Sequence, residues 1–484
     1  MSATPPAEHS ADHGNGNRSR STTWIPIAIA AAVPAGLYLV FIAHFGRNGI
    51  YWDDWTFVPI VDGVIHHHLS FTELWQQHNE NRMLFPLLLV GVVGSLTHLD
   101  TMVIMWVSAG LFIVSFALLL DAHRAYSNHW MTPLQTLFVG CVWFSIVDTE
   151  NALWAFQVAW YLVLFCLMFM LFALGRRRLT PRWFCLAALI ALVASFSSLQ
   201  GLMLWPVGLL CIVWRLRDMR SRSMACGTWI LVSLAAFAAY FHDFSFSSSA
   251  IGGGSSSYAL HHPVQVGQYA LALVGNVFPT MNPDVGLHEL IGLALIVCSL
   301  SVVVASIRSY GRTRTLPLPA ALIVFALLFD LSIALGRMSL GIVHAFSPRY
   351  TMVNLLILVA LSAFVFARAS LRPVHRRRRL PTALGSAAVA GVVCLLAVQI
   401  VDATDVGLHA ASTWRQRITT GDTIFVNLDR IPEPARTNLF DGFVFPSLAA
   451  LTDAGWLQMV QQDHLGELDP STAAGYVSAH PSLP

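Results

Sequence analysis

The chain contains no lysine and few charged residues of any kind. Charged side chains make up 11% of its 484 residues and apolar side chains 56%, whereas soluble domains have roughly 25% charged residues. All 28 basic residues are therefore arginine, and their distribution carries more information than the net charge of +2. This composition excludes an ordinary soluble domain and predicts a polytopic membrane protein.

The sequence also lacks the cysteine spacing of a disulfide framework or a metal cluster. Its seven cysteines all fall inside apolar runs, where a thiol behaves as a small hydrophobic side chain. The apolar segment that begins at Trp24 has no convincing small-residue cleavage site, so we expect a retained first span and not a removed signal peptide. No polar interval before Val401 is long enough to fold separately.

The apolar runs predict an all-α polytopic membrane protein with about eleven transmembrane helices and additional interfacial helices. A crossing needs about 20 apolar residues. The predicted spans cover residues 24–45, 101–120, 134–148, 152–174, 183–198, 200–214, 225–241, 287–307, 317–335, 351–367 and 382–401. Two shorter stretches, 83–98 and 264–280, are predicted to lie at one interface without crossing.

This assignment divides the chain into three parts. They are a disordered cytoplasmic N-terminus (1–23), a membrane domain (24–401) whose outer loop 46–100 carries an acidic motif, and a small extracytoplasmic C-terminal tail (402–484).

Arginine clusters set the predicted orientation, because cytoplasmic loops collect Lys and Arg. All of the clusters lie on one side if 83–98 and 264–280 do not cross. The clusters are Arg176 to Arg178; Arg215, Arg217, Arg220 and Arg222; Arg308, Arg312 and Arg314; and Arg368, Arg372 and Arg376 to Arg379. The N-terminus is then cytoplasmic and the C-terminus extracytoplasmic.

Four sets of polar residues lie on the predicted outer side, where polar groups at the membrane edge are candidates for function. The first contains YWDDW, the run His66–His68, and HNENR, which follows a helix predicted from a capping box of Ser70 and Glu73. The others lie in DTENALWAFQ, SSLQGLMLWP and FDLSIALGRMSLGIVHAFSPRY. The candidate site residues are Asp53, Asp54, His78, Glu80, Arg82, Glu150, Asn151, Gln157, Gln200, Arg337, Arg349 and Tyr350.

Each set also has a simpler interpretation. Trp52, Trp55, Trp154 and Trp205 are typical of an interfacial aromatic belt. The histidine run favours a solvated surface over a metal site, since no second ligand pair shows the required spacing. Asp330, inside a predicted span, either pairs with Arg337 or has a function, and the two outer arginines either anchor headgroups or clamp a phosphate.

These residue types suit a substrate with a hydroxyl at one end and a phosphate at the other. Arginine binds phosphate through a planar, permanently charged fork. A nearby carboxylate can accept the proton of an attacking hydroxyl as a general base. Two adjacent carboxylates push one pKa up, which leaves the second for orientation or for a metal.

YWDDW, HNENRMLFP, ENALWAFQ, SSLQGLMLWP and GRMSLGIVHAFSPRY together resemble a bacterial polytopic family assigned to the GT-C superfamily of membrane glycosyltransferases. The resemblance spans residues 51–350. It implies inverting transfer from a polyprenyl-phosphate sugar, with Asp53 or Asp54 as the base on the acceptor and Arg337 or Arg349 at the carrier phosphate. The acidic pair is adjacent here, whereas better known members commonly space it more widely.

The expected function is transfer of that sugar to a cell-envelope glycan or lipid acceptor on the outer face of a bacterial inner (plasma) membrane. The expected partners are the lipid-linked donor, the acceptor and membrane lipids, with no nucleic acid. The sequence assigns no cofactor with certainty, and a divalent metal remains open. The alternatives are a transporter or lipid flippase, disfavoured because the two halves show no self-similarity, and a lipid-linked glycan polymerase or ligase.

Overall fold

The computed structural model describes residues 24–176, 178–216, 218–245, 256–309, 315–370, 380–427 and 447–466. The predicted disordered N-terminus (1–23) lies outside the described residues. So do most of the tail beyond residue 427 and several residues of the arginine clusters, namely Arg177, Arg217, Arg312, Arg314, Arg372 and Arg376 to Arg379.

Helices form nearly all of the regular structure. In chain order they are α1 (Trp24–Phe45), α2 (Val58–Ile65), α3 (Phe71–Trp75), α4 (Leu84–Thr97), α5 (Thr101–Ser127), α6 (Pro133–Trp143), α7 (Thr149–Leu153), α8 (Val158–Leu174), α9 (Pro181–Ser195), α10 (Leu204–Arg215), α11 (Met219–Phe241), α12 (Ser256–His261), α13 (Pro263–Gly275), α14 (Val285–Ser309), α15 (Leu318–Arg337), α16 (Pro348–Ser370), α17 (Leu380–Val426), α18 (Leu448–Asp453) and α19 (Trp456–Asp463). The two short strands β1 (Gln77–His78) and β2 (Asn81–Arg82) form one antiparallel hairpin.

The predicted all-α polytopic membrane fold is confirmed. Within the described residues, eight helices are long and apolar enough to cross a membrane. They are α1, α5, α8 with the 3₁₀ turn before it, α11, α14, α15, α16 and α17.

Three predicted spans correspond to helices that are shorter than expected, namely α6, α9 and α10. At 1.5 Å per residue, the 11 residues of α6 extend about 17 Å, well short of the roughly 30 Å hydrocarbon core. The apolar run 134–148 does not continue as a helix because Phe144 and Val147 instead pack into the protein core from an irregular segment. The count of eleven crossings therefore stays a prediction.

The stretches predicted not to cross form α4 and α13, which have 14 and 13 residues. The capping box of Ser70 and Glu73 is confirmed: the Glu73 carboxylate accepts from the Ser70 amide at 2.7 Å, and α3 follows.

α17 continues through the predicted boundary at residue 401 and ends only at Val426. Its C-terminal half places Ala411, Trp414 and Ile418 on one buried face, because residues three and four apart share a side of a helix. The Trp414 ring packs 5.3 Å from the Tyr51 ring, measured between centroids. The first part of the predicted tail is therefore a helical extension that covers the start of the outer loop.

α8 and α16 are the most buried of the eight long helices, whereas α1, α11 and α17 expose large apolar side chains such as Leu37, Leu231 and Val401. This arrangement suits a bundle whose outer helices face lipid. The loop after α8 holds Arg176 and the last turn of α16 holds Arg368, so these two arginines lie at the C-terminal ends of their helices.

The close approach of α13 and α14 depends on glycine, as is common where membrane helices pack closely. A Cβ added at Gly292 would lie 1.9 Å from the Leu271 carbonyl oxygen, while one added at Gly110 meets no atom within 4 Å. We expect Gly292→Ala to destabilise the protein by about 1–3 kcal/mol through overpacking, and Gly110→Ala to be neutral or stabilising. Thermal unfolding in detergent measures both; equal melting temperatures would contradict the packing.

Candidate functional site

A polar pocket lies where the first turns of α8 and α16, the last turns of α15 and the β1–β2 hairpin meet. Its volume is about 100 Å³, below the range of about 300–1,000 Å³ for ligand pockets, so the pocket is small in this conformation. It is lined by Asp53, His78, Asn79, Glu80, Asn81, Phe156, Gln157, Trp160, Leu199, Gln200, Ser332, Ile333, Gly336, Arg337, Arg349 and Tyr350. Eight of the twelve predicted site residues belong to this lining.

Three pairings of a carboxylate with a basic side chain surround the pocket. Arg337 donates to the Glu80 carboxylate at 2.7 Å, which closes a contact across 257 residues of sequence. Arg349 Nε lies 3.7 Å from Glu150 Oε2, and His78 Nε2 lies 3.3 Å from Asp53 Oδ1. The last two are ion-pair distances without hydrogen-bond alignment. Both arginines are about 30% exposed, so they remain accessible to a ligand.

The adjacent carboxylates of YWDDW point into different environments. Trp52 adopts a left-handed backbone (φ 53°), and residues 52–57 then form a 3₁₀ helix, in which successive side chains diverge by a third of a turn. Asp53 faces the pocket, whereas the Asp54 side chain is buried and its Oδ2 accepts from the Tyr51 amide at 3.2 Å. Of the two carboxylates predicted to be catalytic, Asp53 lines the pocket and Asp54 does not.

Burial raises the pKa of the Asp54 carboxyl well above its usual range, and the nearby Asp53 adds to the shift, while hydrogen bonds such as that from Tyr51 oppose it. Asp54 thus favours the protonated form inside the apolar cluster that also contains Trp55 and Phe57. The Asp54 carboxyl holds the backbone of the loop through the Tyr51 amide and does not line the pocket.

The HNENR segment is a hairpin that delivers His78 and Glu80 to the pocket. Asn79 takes the left-handed turn position (φ 50°), and Asn81 Oδ1 accepts from the Ser198 hydroxyl and the Leu199 amide, both at 3.0 Å. These bonds attach the hairpin to the loop that carries Gln200. Two outer loops distant in sequence therefore form one wall of the site.

Arg82, predicted to bind substrate, has a structural role instead. Its guanidinium donates to the backbone carbonyls of Tyr240 (2.7 Å), Trp75 (2.6 Å) and His242, and only 4% of the residue is exposed. Because its donors are directed at main-chain oxygens, Arg82 ties the hairpin to the end of α11. It does not line the pocket.

Glu150 and Asn151 lie behind Arg349 and do not line the pocket. The Ser347 hydroxyl donates to Glu150 at 3.1 Å, and the Asn151 amide donates to the Arg349 carbonyl at 2.7 Å. Glu150 and Gln157 do not lie on one continuous helix, because the chain is extended at Trp154 (φ −129°, ψ 118°) between α7 and the next turn. Gln157 nevertheless reaches the pocket as the residue preceding α8.

Sequence reasoning missed Trp160, Ser332, Ile333 and Gly336 as lining residues. Trp160 stacks on Tyr350 with ring centroids 5.9 Å apart. Helical spacing carries the signal for them, since Trp160 lies three residues after Gln157 and Ile333 four residues before Arg337. A neighbouring cavity of about 370 Å³ shares His78 and is also lined by Thr56, Glu73, Gln76 and Trp456.

Asp330 does not form the ion pair considered for it, because Arg337 is paired with Glu80. Its side chain is buried within α15, and neither carboxylate oxygen has a hydrogen-bond partner among the described residues. The aromatic-belt interpretation fails for Trp55, Trp154 and Trp205, which are at most 5% exposed.

The pocket is a poor divalent-metal site. Each of its carboxylates already faces a basic partner, so a cation would have to displace a guanidinium or an imidazole. Within the part of the chain that the structure describes, the group of three or more suitable ligand atoms lies elsewhere, at Asp62, His66 and Asp463.

We expect Arg82→Gln to destabilise the protein by about 3 kcal/mol or more, because it leaves buried carbonyls without their donors. The matched control is Arg124→Gln, which removes a surface pair with Asp121 worth less than about 1 kcal/mol. Thermal unfolding in detergent measures both. Comparable small shifts of the melting temperature in the two variants would show that Arg82 does not stabilise the attachment of the hairpin to α11.

No protein-family model, no curated protein and no solved structure matches this chain. The geometry of the pocket is therefore the basis for assigning a function.

Proposed function

We propose that the protein is an inverting glycosyltransferase that moves a sugar from a polyprenyl-phosphate carrier to a glycan or lipid acceptor of the cell envelope. The observation that supports this most strongly is the convergence of one carboxylate, Asp53, with two accessible arginines, Arg337 and Arg349, at one end of a membrane helix bundle. A base and a phosphate clamp are the two parts that such a transfer requires.

The position of the pocket agrees with an extracytoplasmic reaction. It lies at the start of α8 and α16, whereas Arg176 and Arg368 lie at the other ends of the same helices. Since arginine collects on the cytoplasmic side, we infer that the pocket faces outward and that the N-terminus is cytoplasmic. We propose a bacterial inner membrane as the location. A lipid-linked sugar in the outer leaflet then presents its phosphate at the level of the arginines.

In the proposed step, a hydroxyl of the acceptor attacks the anomeric carbon of the sugar. Its oxygen forms the new glycosidic bond, while the bond from the anomeric carbon to the phosphate oxygen breaks. The hydroxyl proton passes to Asp53, and the electron pair leaves with the polyprenyl phosphate. Single displacement inverts the anomeric centre. Arg349 and Arg337 stabilise the charge that grows on the leaving phosphate.

The small volume of the pocket is consistent with a mechanism in which the arginines exchange their carboxylate partners for the phosphate of the donor. Arg337 is neutralised by Glu80 and Arg349 by Glu150 before substrate arrives. A phosphate offers a bidentate partner for a guanidinium, so donor binding would release Glu80 from Arg337 and enlarge the pocket. The hairpin that carries Glu80 moves with it, and the adjoining cavity beside His78 is the proposed approach for the acceptor.

A transporter or flippase is the second candidate, and Asp330 is the observation that favours it. A buried carboxyl without a hydrogen-bond partner inside a membrane helix is typical of proton or ion pathways. Against this, the polar residues of the pocket gather at helix ends and not around a midplane site. An Asp330→Asn variant that retains sugar transfer would assign Asp330 to packing.

The test is sugar transfer from a radiolabelled polyprenyl-phosphate sugar in membranes. We expect Asp53→Asn to lower the rate by 10²- to 10⁴-fold, the usual contribution of a general base, at an unchanged melting temperature. Asp54→Asn is the matched control, because Asn mimics a protonated carboxyl, and it should keep most of the activity per folded molecule. Full activity in Asp53→Asn would end the proposal.

A further inference from the structure

A cluster of histidine and carboxylate side chains joins the outer loop to the C-terminal segment, away from the pocket. His66 Nε2 lies 2.9 Å from Asp463 Oδ1 and 3.8 Å from Asp62 Oδ1. His68 Nε2 lies 3.3 Å from the other oxygen of Asp62. Ligand atoms of Asp62, His66 and Asp463 all fall within 4.8 Å of one another.

The carboxyl groups of Asp62 and Asp463 are buried close to each other. The Asp62 side chain is 9% exposed and that of Asp463 is 6% exposed. Asp463 Oδ2 is buried and has no hydrogen-bond partner among the described residues. Neighbouring buried carboxylates repel each other unless one of them is protonated or a cation lies between them. The exposed edges of the two imidazoles, each about half accessible, leave a path for such a cation from solvent.

We propose that Asp62, His66 and Asp463 bind a divalent transition-metal ion, with His68 orienting Asp62, and that this ion fastens the C-terminal segment to the first outer loop. The site is independent of the proposed sugar transfer, since none of its residues lines the pocket.

The spacing of the donor atoms fits this class of ion. Two ligands about 2.0–2.1 Å from a tetrahedral zinc lie about 3.3–3.4 Å apart, and the observed separations of 2.9 and 3.8 Å bracket that value. Imidazole nitrogen with carboxylate oxygen is a common zinc donor set. His68 beside Asp62 matches the hydrogen-bonded second layer that holds a metal-binding carboxylate in place.

The ion would reinforce contacts that already attach the segment. α19 packs on α2, and Val460 and Leu465 are buried in the same cluster as Val61. The Gly466 amide donates to the His98 carbonyl at 2.7 Å. The sequence predicts that the histidine run is a solvated surface. The third proposed metal ligand, Asp463, is about 400 residues away in the sequence, so local spacing does not reveal it.

The test uses the full-length protein purified in detergent, stripped with EDTA and dialysed against buffered Zn²⁺. We expect one tightly bound zinc per chain by mass spectrometry of the metal, at least tenfold weaker binding in His66→Asn, and weaker binding in His68→Asn. His67→Asn is the matched control. It alters the same run at an exposed residue with a left-handed backbone (φ 58°) that Asn tolerates, and it should bind like the wild type.

A second measurement follows hydrogen exchange in residues 456–466. Zinc should slow exchange there and raise the melting temperature by about 3 °C or more in the wild type and in His67→Asn, but not in His66→Asn. Because His66 and His68 are half exposed, their substitution is compatible with folding. Equal zinc content in the His66 and His67 variants, or no bound zinc in the wild type, would overturn the proposal.

Discussion

Charged side chains at the end of an apolar helix bundle need partners of opposite charge. The ion pair between Arg337 and Glu80 meets this requirement beside the pocket. The pair links the last turn of α15 to the hairpin of the outer loop. The hairpin is in turn bonded through Asn81 to the loop before α10, and through Arg82 to the end of α11. Together these contacts join three loops around the pocket.

The sequence predicts the helical membrane fold well because a span is a local property of about 20 consecutive residues. It predicts the length of each helix less well. The end of the run 134–148 is apolar because it packs in the core, although the helix ends at Trp143. α17 continues past Val401 because its polar extension keeps one apolar face against Tyr51. Tertiary contacts determine the length of both helices, and the local sequence pattern does not predict these contacts.

The candidate site shows the same division. Polar residues are easily recognised in a hydrophobic chain. The fold brings together at the pocket seven that can be selected from the sequence: His78, Glu80, Gln157, Gln200, Arg337, Arg349 and Tyr350. The direction in which each side chain points depends on the local φ and ψ angles, which the sequence pattern does not give. The turn at Trp52 separates Asp53 from Asp54, and the backbone carbonyls around Arg82 remove it from the site.

The central claim is that Arg337 and Arg349 hold the phosphate of a lipid carrier beside Asp53. A cryo-EM structure of the protein with a non-transferable polyprenyl-phosphate analogue tests it most directly. The account predicts the phosphate within hydrogen-bonding distance of one or both arginines, Glu80 released from Arg337, and Asp53 facing the bond that would break. A phosphate bound among the arginines at the opposite end of the helices, with the Arg337–Glu80 pair intact, would contradict it.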